Sequence, residues 1–272
     1  MARILGGDAD VLARVLAAHE AALEARIRQS GDSITRLRRL RAELRSGKVP
    51  AARDIIGAVR PQLGVAFDLP WPWGGERFEL RDIRALNYIV GPLGSGKTRF
   101  AQRLAEALPG AVFIGLERAA DDGAAMRARL DADPALKARV DAGLAALIAD
   151  GAMASPALTA LLAALEADRP AIAVIDMLEQ GLDAATQEAL IAQLRRRPPP
   201  ARPLFFLTRS SAILDLDAIG SDEAIILCPA NHSPPVVVTP VPGAPGFEAV
   251  ATCLASPEVR ARTAGVIAWR PA

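Results

Sequence analysis

Apolar residues recur at steps of three and four over residues 8–46, which is the spacing of one face of an amphipathic helix. They fall into two runs, Leu12, Leu16, Leu23 and Ile27, then Ile34, Leu37, Leu40 and Leu44. Between the runs lies "QSGDSIT", where Gly31 disfavours a continuous helix. The pattern predicts a helical N-terminal segment over residues 1–62, as a hairpin of two helices or as one long kinked helix close to a coiled coil.

From about residue 64 the pattern changes to short apolar runs separated by helical stretches. The runs predicted as strands are "GVAFDL", "RFELRDI", "ALNYIVG", "AVFIG", "AIAVID", "PLFFLT" and "EAIILC". Predicted helices lie between them: "TRFAQRLAEAL", an Ala-rich region over residues 121–168, and "AATQEALIAQLRRR". Alternating strands and helices are typical of a mostly parallel sheet with helices on both faces. We therefore predict an α/β core over residues 63–230.

The C-terminal part, residues 231–272, is rich in proline and forms an extension to this core. It contains a short strand pattern, "VVVT", and a predicted helix, "SPEVRARTAGVIA". We expect the extension to pack on the core, either as an edge strand or lying over the sheet.

Composition and charge narrow the functional classes. Lys and Arg number 32 and Asp and Glu 31, a balance that does not favour binding to nucleic acid over the whole surface. Binding to nucleic acid is kept as an alternative, although no motif in the sequence supports it. The sequence contains no run of 18 or more apolar residues, so we expect no membrane span. The N-terminus lacks the pattern of a signal peptide. We therefore expect a cytoplasmic protein of bacterial type. Cys228 and Cys253 are far apart and have no metal-binding spacing.

The strongest motif is "GPLGSGKT", residues 91–98, which follows a predicted strand and opens a predicted helix. Glycines let the backbone wrap closely around an anion, and the helix N-terminus directs N–H groups at it. Lys97 is expected to reach the β- and γ-phosphates of a nucleotide, and Thr98 to bind Mg²⁺. The predicted phosphate-binding residues are Gly91, Gly94, Ser95, Gly96, Lys97 and Thr98.

A phosphate loop needs a second acidic residue to hold the metal. Asp176 follows the apolar run "AIAVI", and an acid at the end of a buried strand is the expected partner of Thr98 at a magnesium site. We predict Thr98 and Asp176 as metal-side residues.

Three stretches resemble the ABC, RecF and SMC-like branch of ATPases. "VIDMLEQGLD" resembles the Walker B and D-loop segment, with Asp176 at the Walker position and Leu-Asp at 182–183. "LFFLTRSSAILDLDAIGSDEAIIL" resembles the segment that carries the family's switch histidine, where Thr208 and Ser210 match. "FELRDIRALNYIVGPLGSGKT" resembles the opening strands and loop. The resemblance covers about residues 65–228 and implies a P-loop NTPase core that binds ATP and Mg²⁺.

The chain departs from this family at several positions. Met177 stands where the family has its catalytic Glu, and Arg209 stands where it has the switch His. No LSGGQ-like signature precedes the "AIAVID" strand, and no Q-loop glutamine is evident. A methionine cannot take a proton from water, so the usual general base is missing.

Other residues are candidates for the missing roles. Glu179 lies three residues beyond Asp176, and Glu117 ends the strand "AVFIGLE", where RecA-like ATPases carry their activating Glu. Lys97 is a candidate catalytic residue, and Arg209, a cation at a strand end, is a candidate for sensing or neutralising the γ-phosphate. The family resemblance also implies that an aromatic residue in the early strands stacks on the adenine base. Trp73 in "PWPWGG" is our candidate, with Trp71 beside it.

The sequence therefore predicts an ATP-binding protein with Mg²⁺-dependent hydrolysis that is slow or depends on a partner. The N-terminal helices are expected to mediate a homodimer or a contact with another protein. Two alternatives stay open. One is a small-molecule kinase, with residues 121–168 as a lid. The other is a non-enzymatic regulator that responds to nucleotide, by a similarity of the N-terminal helices to the dimerisation helices of MerR-type regulators.

Overall fold

A computed structural model describes residues 31–49 without 32, 33 and 36, and residues 64–262 without 168, 169, 199, 200 and 221. The chain divides into two compact units, Met1–Leu63 and Gly64–Ala272. In the first unit residues 37–45 are helical, with Leu40 buried. The other predicted N-terminal helical residues, up to residue 30, lie outside the described part of the chain.

A six-stranded sheet forms the centre of the second unit. Its strands are β3 (Leu86–Val90), β4 (Ala111–Ile114), β5 (Ile172–Ile175), β6 (Leu204–Leu207), β7 (Glu223–Leu227) and β8 (Val236–Val238). The order across the sheet is β4-β5-β6-β3-β7-β8, and all neighbours are parallel except β7 and β8. Every residue of β3, β5 and β6 is buried, as expected for strands covered on both faces. The predicted mostly parallel sheet with flanking helices is confirmed.

The helices of this unit lie on both faces of the sheet. They are α1 (Lys97–Ala107), α2 (Ala124–Ala132), α3 (Pro134–Ala149), α4 (Pro156–Glu166), α5 (Ala184–Arg195), α6 (Phe247–Cys253) and α7 (Pro257–Ala261), with a 3₁₀ helix over Leu116–Gly123. Helix α1 contributes to the apolar cluster on one face, and α3, α4 and α5 to the cluster on the other. None of the described helices has the length and apolar character that a membrane crossing requires.

The predicted helical region over residues 121–168 contains three helices, α2, α3 and α4. Asp133 ends α2 and caps α3, since its side chain accepts a hydrogen bond from Leu136 N. Ser155 caps α4 in the same way by accepting from Leu158 N. Each cap is followed by a proline at the first helical position, where the missing N–H costs nothing. The sequence signals for these boundaries were present in the chain as "DP" and "SP".

A separate two-stranded antiparallel sheet packs against α1. It consists of β1 (Val65–Asp68) and β2 (Arg77–Leu80). Phe67, Phe78 and Trp73 surround Phe100 of α1, with the Phe78 and Phe100 ring centroids 4.9 Å apart in an edge-to-face arrangement. These aromatic contacts fix the hairpin over the start of α1, which is the helix that the glycine-rich loop opens.

The C-terminal extension completes this unit. Strand β8 pairs antiparallel with β7 at the edge of the main sheet. Helix α6 was not indicated by the sequence pattern. The predicted helix "SPEVRARTAGVIA" is present as α7 over Pro257–Ala261, and the residues beyond 262 lie outside the described part.

Candidate functional site

The glycine-rich loop connects β3 to α1 at the carboxyl end of the parallel strands. Gly94 and Gly96 have φ of +80° and +89°, in the left-handed region that glycine adopts without strain. Neighbouring atoms also lie close to glycines of the loop: a Cβ on Gly91 would lie 2.3 Å from the Cys228 carbonyl oxygen, and one on Gly96 would lie 2.7 Å from Cη2 of the Trp73 ring. The loop therefore requires glycine at these positions for packing and for backbone conformation.

Lys97 points back into the loop. Its ammonium donates hydrogen bonds to the carbonyl oxygens of Gly91 at 2.7 Å and Pro92 at 2.6 Å, and the residue is only 9% exposed. Burial lowers the pKa of Lys97, and the nearby charge of Arg209 adds to this effect. Ser95 Oγ is buried beside them and has no hydrogen-bond partner within the described residues. A buried cation and an unpartnered hydroxyl in one loop fit a bound anion.

The loop and β5 meet through Thr98 and Asp176. The Thr98 hydroxyl donates to Asp176 Oδ2 at 3.0 Å, and the Asp176 backbone N–H donates to Ile114 at the end of β4. Burial raises the pKa of Asp176, while the bond from Thr98 and the charges of Arg118 and Lys97 oppose the rise.

The donor atoms of Thr98 and Asp176 determine whether this pair can hold Mg²⁺. No group of three or more His, Cys, Asp or Glu side chains placed to hold a metal occurs in the described part of the chain. Mg²⁺ at nucleotide sites commonly takes one or two protein oxygens and completes its shell with water and phosphate oxygens. The adjacent hydroxyl and carboxylate oxygens of Thr98 and Asp176 fit that donor set.

Arg118 is a residue that sequence reasoning missed. Its guanidinium donates to the carbonyl oxygens of Gly115 at 2.9 Å, Asp176 at 2.8 Å and Met177 at 2.7 Å. Burial lowers the pKa of Arg118, which the Asp176 carboxylate opposes. Met177 has a φ of +47°, an uncommon conformation for a residue with a side chain. Arg118 thus fixes the turn after β5, and only its position next to Glu117 could have drawn attention to it.

The two predicted general bases lie in different surroundings. Glu179 is buried, with its Oε1 accepting hydrogen bonds from the Arg209 backbone N–H at 3.0 Å and from the Arg260 guanidinium. Its Oε2 is buried without a described partner. Glu117 is exposed, and its Oε1 accepts from the Gly115 backbone N–H at 3.1 Å. Either role as a base stays a prediction.

The segment after β6 is held by side-chain hydrogen bonds. The Ser210 backbone N–H donates to the Thr208 hydroxyl, and the Ser210 hydroxyl donates to Gln187 Oε1 at 2.6 Å. Gln187 in turn donates through Nε2 to the Leu182 carbonyl at 2.7 Å. The segment that carries Arg209 is therefore bonded to the start of α5 and to the turn before it.

The two tryptophans of "PWPWGG" have opposite environments. Trp73 is 5% exposed, lies against Gly96, and donates through Nε1 to the Ser233 carbonyl at 3.0 Å. Trp71 is 72% exposed, and the Arg99 guanidinium carbon lies 5.2 Å from its ring centroid. The burial of Trp73 disfavours its predicted stacking on adenine, because its ring packs inside the protein.

Comparisons with known proteins give structural similarity only. No family model and no curated protein matches the chain. An ABC exporter of the bacterial Atm1 family, solved with ATP bound, is 16% identical with a TM-score of 0.41, over 62% of this chain and 38% of the exporter chain. The SMC head domain from Thermotoga maritima is 11% identical with a TM-score of 0.46, over 65% of this chain and 99% of the head domain.

The present chain thus spans well under half of the exporter chain. Its assignment to the P-loop NTPase type of α/β fold follows from the chain itself: a mostly parallel sheet, with the glycine-rich loop between a central strand and the helix after it.

Proposed function

We propose that the chain binds Mg²⁺-ATP at residues 91–98 and hydrolyses it slowly or with the help of a partner. The observation that carries the proposal is the 3.0 Å contact between Thr98 Oγ1 and Asp176 Oδ2 at the start of α1. A structural turn would not require a lysine inside the loop and a buried carboxylate from another strand next to it. Both are expected where a loop holds a triphosphate and its metal.

Binding would change the partners of the loop side chains. The Lys97 ammonium, now on two loop carbonyl oxygens, would move to the β- and γ-phosphate oxygens. Ser95 Oγ, which has no partner among the described residues, would gain one, and the first N–H groups of α1 would face the anion. Mg²⁺ held by Thr98 and Asp176 would neutralise phosphate charge.

Glu179 is the better supported of the two candidate bases. It is a buried carboxylate hydrogen-bonded to the Arg209 backbone, and Arg209 is close enough to Lys97 to influence its pKa. Together, Lys97 and Arg209 would supply positive charge to a γ-phosphate. Glu117, in contrast, is exposed and bonded to its own turn. We propose Glu179 as the base, with Glu117 as the alternative.

Stacking on the base would fall to Trp71 rather than Trp73. Its ring is exposed and the Arg99 guanidinium lies over it, one residue after Thr98 in α1. An exposed indole beside the loop offers a flat surface for a purine, whereas the Trp73 ring already packs against the loop from inside.

The alternatives from the sequence have less support. Residues 121–168 would be a mobile lid in a small-molecule kinase, but Leu136, Leu147 and Leu158 of this region are fully buried in the core. A regulator that binds nucleotide without turnover differs from our proposal only in hydrolysis, which a turnover assay measures. Association through the N-terminal unit, Met1–Leu63, and a cytoplasmic location are further proposals.

Substitution of Lys97 tests the function. We expect Lys97→Ala to weaken Mg²⁺-ATP binding by at least about 100-fold, because a charged hydrogen-bond donor to phosphate is lost. Isothermal titration calorimetry measures binding, and release of inorganic phosphate measures turnover. The matched control is Lys137→Ala, a surface lysine of α3 paired with Asp141, which should bind ATP as the wild type does.

Two results would count against the proposal. If Lys97→Ala and wild type bind Mg²⁺-ATP with equal affinity, the loop is not the phosphate-binding site. Binding without any phosphate release, under all conditions of Mg²⁺ and pH, would favour the non-enzymatic regulator.

A further inference from the structure

The C-terminal residues 254–262, which we term the C-terminal strap, lie against the segment that carries Arg209. The Ala255 backbone N–H donates to the Arg209 carbonyl at 2.9 Å, and the Ser211 N–H donates to the Ala255 carbonyl at 3.0 Å. This gives a parallel bridge between Ser210 and Ala255. The strap is therefore attached by backbone bonds to the carboxyl end of β6, beside the proposed ATP site.

Beyond this bridge the strap turns into α7 and places Arg260 on Glu179. Ser256 caps α7 and Pro257 opens it, so the helix start is well defined. The Arg260 guanidinium donates to Glu179 Oε1. The side chain of Glu179 is 2% exposed and that of Arg260 21% exposed, so this ion pair is largely shielded from water.

The contact leaves Glu179 unable to act as a base where it now lies. Oε1 is taken by two donors, the Arg209 backbone N–H and Arg260. Oε2 is buried and has no described partner, so bulk water does not reach it. A general base must accept a hydrogen bond from the attacking water, which requires that the carboxylate be uncovered.

We infer that Arg260 is a positioning residue that holds Glu179 in a covered state, so that the C-terminal strap is an inhibitory contact at the ATP site. The inference rests on the proposed function. After release of the strap, Glu179 takes a proton from water while the water oxygen bonds to the γ-phosphorus. The bond from that phosphorus to the bridging oxygen breaks, ADP and phosphate leave, and the proton passes on to solvent.

The two cysteines provide a measurement of strap release that does not depend on turnover. Cys253 ends α6 immediately before the strap and is half-buried, whereas Cys228 is fully buried in the core. The rate at which a maleimide labels Cys253 in the native protein should rise when the strap detaches. Cys228 should stay unlabelled, which shows that the core is intact.

The experiment compares Arg260→Ala with Arg262→Ala, an exposed arginine two residues further on. We expect Arg260→Ala to raise kcat for ATP at least fivefold with KM changed less than twofold, and to speed labelling of Cys253 at least fivefold. Arg262→Ala should leave both within twofold of wild type. Adding Glu179→Gln to Arg260→Ala should remove the gain in kcat and keep the fast labelling.

Arg260→Gln is a second variant in case Arg260→Ala fails to fold, because glutamine keeps a hydrogen-bond donor for Glu179 without the charge. We expect intermediate values of kcat and of the labelling rate of Cys253. If the wild type hydrolyses ATP and neither Arg260 variant is faster, the inference is wrong and the proposed function stands. Unchanged labelling of Cys253 in both variants would also overturn it. If no variant hydrolyses ATP, the proposed hydrolysis itself fails, and the inhibitory role with it.

Discussion

The side chains near the glycine-rich loop and those around Glu223 differ in how completely their polar groups are paired. At the carboxyl end of the parallel strands, Ser95 Oγ and Glu179 Oε2 are buried without a described partner. At the opposite end, Glu223 of β7 accepts two hydrogen bonds from Arg195, at 3.0 and 3.1 Å, and a third from the Tyr88 hydroxyl. Burial and the Glu223 carboxylate raise the pKa of Tyr88, which stays protonated and keeps donating.

This difference in pairing distinguishes residues that stabilise the fold from residues that bind a ligand. A fully paired buried network contributes to folding and gains nothing from a ligand. Buried polar atoms without partners cost free energy in the free protein, and a ligand that pairs with them recovers it. We therefore expect substitutions at the Tyr88–Glu223 end to change stability alone, and those near the loop to change ligand binding.

The largest expected effect is that of Glu223→Ala. Loss of the carboxylate leaves Arg195 and Tyr88 without their shared partner, which should lower the free energy of unfolding by about 3–5 kcal/mol. Urea denaturation measures this loss of free energy of unfolding. Glu79→Ala is the control, because Glu79 pairs with Arg81 at the surface. Its loss should be less than about 1 kcal/mol. The folded variant should bind ATP with the affinity of wild type. A weakened affinity would contradict the distinction between residues that affect stability and residues that affect ligand binding.

A second substitution addresses the loop. In Gly96→Ala the new methyl group would collide with the buried Trp73 ring, so we expect a loss of about 1–3 kcal/mol from crowding and at least tenfold weaker ATP binding. Gly94→Ala is the matched control, because its φ is also positive but no atom lies within 4 Å of the added Cβ. Its free energy of unfolding should fall only by the backbone cost of about 1 kcal/mol. Because Gly94 also lies in the proposed phosphate loop, this control concerns stability and not ATP affinity. Equal losses in the two variants would mean that contact with Trp73 is unimportant.

The smallest expected effect concerns Asp176 and pH. Burial raises its pKa in the folded chain above the unfolded value, so its favourable contribution is present at low pH and is lost as pH rises through the folded pKa. Without nucleotide, Asp176→Asn should therefore unfold at a higher temperature than wild type at pH 7.5, and the gap should narrow towards pH 5. Asp68→Asn, which removes the carboxylate of an exposed ion pair, is the surface control measured at the same pH values. A gap that widens on acidification would contradict this account.

Local signals in the sequence were sufficient for the parts of the fold that depend on nearby residues. Apolar runs predicted the buried strands, and the glycine-rich motif predicted a turn between β3 and α1. The contact between Thr98 and Asp176 follows from parallel topology, because the start of α1, which the loop after β3 opens, and the end of β5 lie at the same edge of one sheet. Their role at a metal stays a prediction.

Contacts between distant positions were not predictable in this way. Arg260 and Glu179 are 81 residues apart, and neither periodicity nor a motif connects them. Trp73 lies in a Pro- and Gly-rich turn, and the composition of that turn does not show that the hairpin folds its ring beneath Gly96. The choice between Trp71 and Trp73 depends on tertiary packing, which a run of turn residues does not encode.

The hydrogen bonds of Gln187 have a mechanical consequence. One buried amide joins the Ser210 hydroxyl to the Leu182 carbonyl, so the stretch after β6 and the bend that precedes α5 cannot shift independently without breaking one of these bonds. If a γ-phosphate displaced Arg209, the displacement would pass through this single glutamine to the bend before α5. Shortening that side chain to asparagine would uncouple the two segments.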